Sequence, residues 1–178
     1  LRAMRASARS KTDTFNRPAD ISFVLDELLS GSKKEFLSIE IDPSRIAAAG
    51  HSFGGQTALA LAGQRFVEFE EHENSFADDR IKAILQISAP VPQIDEPLLK
   101  KAYAHINLPC MHVTGKHDDS PIGFVRAHQR RIPFDRIPSG RQFLITFHQA
   151  EHMVFAGYER KLDKQTAERI RTGVLAAS

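Results

Sequence analysis

The sequence predicts an α/β fold, a mostly parallel sheet flanked by helices, and three observations predict it. Patterns with three-and-four spacing alternate along the chain with short apolar runs, the rhythm of strand–helix units. The apolar runs are continuous rather than alternating, as in strands covered on both faces. The 178 residues are 42% hydrophobic, enough for one compact core, so residues 1–178 are read as a single domain.

The elements follow in order. Pro18 is placed in the first turn of a helix whose apolar face is Ile21, Val24, Leu25, Leu28 and Leu29 and whose stop is Ser30-Gly31-Ser32. After the turn-forming pair Asp42-Pro43, residues 45–50 form a short apolar strand, read as buried on both faces and ending in glycine. Ala58, Leu59, Ala60, Leu61 and Ala62 suit a helix over 53–64 that packs closely on a sheet. The acidic stretch 68–79 is a solvated excursion. Ile81–Ile87 is the next strand, with Ala89-Pro90-Val91-Pro92 as its exit.

A short helix over 95–104 leads to a third buried strand over 108–114, which ends at Gly115-Lys116-His117-Asp118-Asp119. Residues 126–140, with Pro133 and Pro138, show no clean period and are read as irregular. Residues 142–148 resume as a strand. The last helix covers 163–177, with Ala167, Ile170, Val174 and Leu175 in register. Four strands separated by helices or loops amount to about half of a large α/β sheet.

Charge excludes several function classes. The 24 Lys and Arg against 22 Asp and Glu are mixed along the chain for a net +2, so nothing calls for nucleic acid or an anionic membrane. No apolar run reaches the roughly 20 residues that span a bilayer, so a soluble chain is expected. The single Cys110, among apolar residues, reads as a small core residue. Residues 1–11 are basic and contain no apolar segment of a signal peptide. The chain begins with Leu and its first element looks interior to a larger fold, so truncation of the N-terminus is expected.

The chemistry begins at Gly50-His51-Ser52-Phe53-Gly54-Gly55, a Gly-x-Ser-x-Gly pattern between a predicted strand and a predicted helix. There a serine sits on a strained turn that lifts its hydroxyl above the sheet, and the framing glycines are expected to let the two backbones approach closely. The helix N-terminus aims backbone N–H groups at the place where an oxyanion would form. Two glycines frame a given serine by chance about once in 200 cases, and the strand–turn–helix context makes coincidence rarer.

A serine hydroxyl is a weak nucleophile at neutral pH and needs a histidine base that an acid orients. Asp118 and Asp119 follow the third strand, where a loop could place a carboxylate beside the serine turn. His152 follows the fourth strand in Gln149-Ala150-Glu151-His152-Met153 and is preferred as base over His148, which belongs to the alternating strand stretch.

Three blocks resemble those of α/β-hydrolases: residues 50–58, from Gly50 to Ala58; residues 114–123, which hold Thr114, Gly115, Asp118 and Asp119; and His152-Met153-Val154-Phe155-Ala156-Gly157. The dienelactone-hydrolase-like and platelet-activating-factor-acetylhydrolase-like branch is the most similar, and Arg17-Pro18-Ala19-Asp20-Ile21 resembles its helix before the nucleophile strand. The resemblance implies the C-terminal portion of an α/β-hydrolase fold with N-terminal strands missing, and a slighter cut at the C-terminus. It implies Ser52 as nucleophile, Asp118 rather than Asp119 as acid, His152 as base and the Phe53 N–H as an oxyanion donor. The implied reaction is hydrolysis of a small-molecule carboxylic ester, lactone or acetyl ester through an acyl-enzyme, without cofactor or metal. Such enzymes take a second oxyanion N–H from an upstream loop, often marked His-Gly, and no such segment precedes the first helix here. Loss of that donor is expected to cost the fragment about 10²–10³ in turnover.

Two alternatives come from other classes. One is an α/β-hydrolase scaffold that binds without turnover. The other is a zinc peptidase, because His148-Gln149-Ala150-Glu151-His152 spells His-x-x-Glu-His, which on a helix would set two histidines on one face with Glu151 as base. The remaining polar residues have structural readings. His112 is a core histidine; His72, His105, His117 and His128 lie at the surface; His51 fills a free motif position; Gln56 and Thr57 support the turn. Arg126, Arg130 and Arg131 form a solvated basic face.

Overall fold

The computed structural model describes residues 6, 10–30, 40–67, 75–123, 125–158 and 162–178. Most of the N-terminal stretch, the helix stop at Gly31-Ser32 and the acidic residues 68–74, His72 among them, lie outside the described residues. In chain order the elements are α1 (Lys11–Leu29), β1 (Ile46–His51), α2 (Phe53–Leu61), β2 (Ile81–Ile87), α3 (Glu96–Tyr103) and β3 (Cys110–His117). A 3-10 turn (Ala127–Arg131), α4 (Ile132–Arg136), β4 (Gln142–Glu151), a second 3-10 turn (His152–Ala156) and α5 (Lys164–Ala177) complete them.

The four strands form one sheet in the order β1-β2-β3-β4, and every neighbouring pair is parallel. Parallel strands all end at the same sheet edge, and that edge is where an α/β fold collects its functional loops. His51, Ile87, His117 and Glu151 are the four strand ends here. The main core joins Ala58, Leu59 and Leu61 of α2 to Ile81 and Ile84 of β2, Leu99, Ala102 and Tyr103 of α3, and Cys110. A smaller cluster packs Ala167 and Ile170 of α5 on Ala150 and Val154.

Several elements depart from expectation. α1 begins at Lys11, because Ser10 caps it by accepting from the Asp13 N–H at 3.1 Å, so Pro18 lies inside the helix rather than in its first turn. Ile21 and Val24 on that helix are exposed, while Leu25 packs against the core. Among the described residues β1 pairs on one side only; its Ala47 and Ala49 are exposed and its Ile46 and Ala48 half-buried, which differs from the expected burial on both faces. Residues 126–140 are largely helical: Pro133 opens α4, where its missing N–H costs nothing, and a residue read as a breaker is a starter. β4 runs on to Glu151, and Leu175 on α5 faces solvent. α3 is capped by Asp95 and α5 by Asp163, each side chain accepting from an N–H three residues on.

Candidate active site

Ser52 occupies the bend between β1 and α2 with φ 57 and ψ −119. A non-glycine residue at positive φ costs about 1–3 kcal/mol and persists only where its surroundings impose it. Here they do. The Ser52 N–H donates to the Ile87 carbonyl at 2.8 Å, and its own carbonyl accepts from Gln56 N–H at 3.1 Å. Thr57 Oγ1 donates to the Phe53 carbonyl at 3.0 Å, which locks the first turn of α2. A Cβ on Gly50 would lie 2.8 Å from Gly54 Cα and collide with the Gly54 carbonyl group, so only glycine fits there. Gly54 itself differs from expectation: a Cβ on it meets nothing within 4 Å, and the close approach involves Gly50 and Gly55 instead.

The bend points Ser52 Oγ at His152, whose Nε2 is 3.0 Å away. His152 Nδ1 lies 2.7 Å from Asp118 Oδ1, so the Nδ1–H is held by the carboxylate and the Nε2 lone pair faces the hydroxyl. The other Asp118 oxygen accepts from Thr114 Oγ1 at 2.8 Å. Asp118 is fully buried, and burial alone pushes its carboxyl upward. The His152 hydrogen bond and the Arg130 charge outweigh that and hold it below the usual carboxylate range. Phe53 is the first residue of α2, so its N–H has no acceptor within the helix and sits beside Ser52.

The structure thus brings together Ser52, Asp118 and His152, which come from three different strand ends. It separates them from their sequence competitors. Asp119 is exposed, pairs with Arg126 at 3.0 Å and accepts from Ala127 N–H at 2.9 Å. His148 is exposed on β4, and His105, His117 and His128 are exposed as well. Because β4 continues to Glu151, His148 and His152 do not share a helix face, and the helical geometry a His-x-x-Glu-His zinc site requires is not formed. Among the described residues no group of three or more His, Cys, Asp and Glu is arranged to hold a metal ion.

Two residues were misread from sequence. His51 is not a free position: its Nε2–H donates to the His152 carbonyl at 3.0 Å and its ring lies 4.7 Å from the His152 ring. Burial is the largest cause that pulls its pKa down to about 4, so it is neutral at physiological pH. Arg130 is not part of a solvated face. It is 2% exposed, and its guanidinium donates to the carbonyls of Ser88, Ala89 and Asp118. Its neighbours Arg126 and Arg131 do lie at the surface, paired with Asp119 and Asp135. No local signal separates Arg130 from Arg131. Thr114 left one, a hydroxyl at the end of an otherwise apolar run.

No protein-family model and no curated protein matches the sequence. Solved structures do. A protein of Klebsiella pneumoniae assigned as a dienelactone hydrolase matches with a TM-score of 0.51 and 14% identity, over 76% of this chain and 52% of its own. The acetyl ester-xyloside bifunctional hydrolase of Caldicellulosiruptor lactoaceticus matches with a TM-score of 0.51 and 13% identity, over 94% of this chain and 66% of its own. This is the α/β-hydrolase fold. A metagenome-derived lipolytic enzyme matches at 16% identity and a TM-score of 0.45, over 72% of this chain and 62% of its own. The chain spans between about half and two thirds of the length of these structures. Within that fold, β1, the Ser52 bend and α2 form a strand, a sharp turn and a helix in direct succession.

Proposed function

We propose that this chain carries the nucleophile, base and acid of a serine hydrolase that cleaves carboxylic esters, lactones or acetyl esters of small molecules. The observation that carries the reading is the continuous contact from Ser52 Oγ through His152 to Asp118, at 3.0 and 2.7 Å. A hydroxyl at that distance from an imidazole lone pair, with the second ring nitrogen held by a buried carboxylate, is arranged for nucleophilic catalysis.

In the proposed reaction Ser52 Oγ attacks the acyl carbon while its proton passes to His152 Nε2. The carbonyl oxygen becomes an oxyanion beside the Phe53 N–H. Collapse breaks the bond to the alcohol oxygen, which leaves with the proton from His152. Water then attacks the acyl-Ser52 ester, gives a proton to His152, and the carboxylic acid departs as Ser52 recovers its own. Asp118 keeps the imidazole in the right tautomer and stabilises the imidazolium in each half-reaction.

Ser52→Ala in the full-length protein is expected to lower hydrolysis of p-nitrophenyl acetate by about 10⁴–10⁶ without changing the circular dichroism spectrum. Fluorophosphonate labelling of the native protein should map to Ser52 and vanish in the variant. An unchanged rate would exclude Ser52 as nucleophile, and a folded native protein that neither labels nor turns over would identify a binding scaffold instead.

A further inference from the structure

Arg130 lies in the 3-10 turn Ala127–Arg131 and is 2% exposed, so its charge is withdrawn from water. A guanidinium stays protonated even there. Four residues from three segments share it. Nε donates to the Asp118 carbonyl at 3.1 Å and lies 3.6 Å from Asp118 Oδ1. Nη1 donates to the Ser88 and Ala89 carbonyls at 2.8 and 2.9 Å. Nη2 lies 3.3 Å from His152 Nδ1. The single hydrogen on that Nδ1 is committed to Asp118, so the contact places a positive charge beside the imidazole rather than a second bond on it.

We propose that Arg130 is a positioning residue for the reaction above: its rigid fork fixes the Asp118 loop against the exit of β2, and its charge opposes a proton on the Asp118–His152 pair. The inference rests on the reading of Ser52, His152 and Asp118 as the reacting groups. Lysine could supply the charge but not three directed bonds in a plane. The groups facing the pair are few. His51 approaches from β1 as a neutral ring, Asp119 reaches Arg130 electrostatically from the acid loop, and the β2 exit presents the Ser88 side chain, which also favours the Asp118 carboxylate, with the Ser88 and Ala89 carbonyls. Arg130 is therefore the cation closest to the pair among the described residues.

The acid limb of the kcat/KM profile reports protonation of the reacting unit as a whole. Removing a neighbouring cation raises the proton affinity of that unit whichever atom holds the proton. In Arg130→Met the acid limb of the kcat/KM profile is expected to move up by about one pH unit, with kcat lower by about tenfold or more. In Arg130→Lys the limb should stay in place while kcat still falls about tenfold and KM changes by less than about twofold. A purely structural role would lower both rates without moving the limb. Wild-type kcat in Arg130→Lys overturns the proposal, as does an acid limb that is unmoved in Arg130→Met. If the Met variant does not fold, Arg130→Gln, which removes the charge and keeps two N–H donors, carries the same test of the acid limb. An unchanged rate in Ser52→Ala would defeat the underlying reading; a Ser52→Ala variant lowered as expected beside fully active Arg130 variants would defeat only this inference.

Discussion

At Gly115 a Cβ would lie 2.7 Å from the Ala150 Cβ and collide with the Ala150 carbonyl, and Ala150 sits two positions before His152. The missing side chain lets the end of β4 close onto β3, where the register shifts between Gly115 and His117. Gly115→Ala is expected to cost about 1–3 kcal/mol in urea unfolding through overpacking. It should also lower ester hydrolysis more than that loss of folded protein explains, because the methyl pushes the proposed base away from Ser52. Gly140→Ala is the control, since a Cβ there meets nothing within 4 Å. Equal rates in the two variants would show that the Gly115 contact does not set the position of His152. At this scale Ser52 was legible because its signal is local, a spacing of glycines around a bend. Asp118 and His152 were legible only as an order along the chain, and choosing Asp118 over Asp119 needed a resemblance. Arg130 was not legible, because two adjacent arginines differ in burial by where the turn docks and by nothing in their flanks.

Helices were read best where they carry caps and worst where proline has two meanings. Asp95 and Asp163 cap α3 and α5 within a residue or two of the expected starts, whereas Pro133 hid α4 and Pro18 pulled the start of α1 too late. β1 was read as doubly buried because an Ile-Ala-Ala-Ala run is equally apolar whichever of its faces is covered; what covers a strand is a tertiary fact. α5 contributes no residue to the candidate site, yet its Ala167 and Ile170 pack on Ala150 and Val154, which flank His152 on either side. Ile170 is 5% exposed, and Ile170→Ala is expected to cost about 2–5 kcal/mol. The segment carrying His152 should loosen with it, so kcat for an ester should fall even at temperatures where the variant is fully folded. A variant that loses stability and keeps its kcat would show that α5 supports the sheet but not the proposed base.

Across the whole molecule the proposed nucleophile and base come from opposite edges of the described sheet. β1 and β4 are its first and last strands, about 14 Å apart at ordinary strand spacing, yet Ser52 Oγ and His152 Nε2 are 3.0 Å apart because the chain after β4 folds back over the strand ends. The seam between the two halves is β2 against β3, which registers four residue pairs, where β1–β2 registers six and β3–β4 seven. Buried polar bonds stitch that short ladder. Gln86 Nε2 donates to His112 Nδ1 at 2.9 Å, His112 Nε2–H donates to Gln142 Oε1 at 2.8 Å, and the Ala89 N–H donates to Gln86 Oε1 at 2.9 Å. The last bond fixes Gln86 with its NH₂ toward His112, so a proton on Nδ1 would face another donor. Burial, only partly opposed by the Gln142 bond and by Asp135, holds the His112 pKa below its ordinary 6.5. The unfolded chain therefore binds this proton at a higher pH than the folded one. The stability that neutral His112 contributes is complete above about pH 6.5 and is lost as pH falls from there toward the folded-state pKa, at up to about 1.4 kcal/mol per unit. His51, pulled down to about 4, acts in the same direction. His112→Gln is expected to be less stable than the native protein at pH 8 but to show a shallower decline between pH 6.5 and 4.5 in urea titrations. Parallel declines would mean that folded His112 accepts its proton as readily as the unfolded chain does, and that the seam survives an imidazolium at its centre.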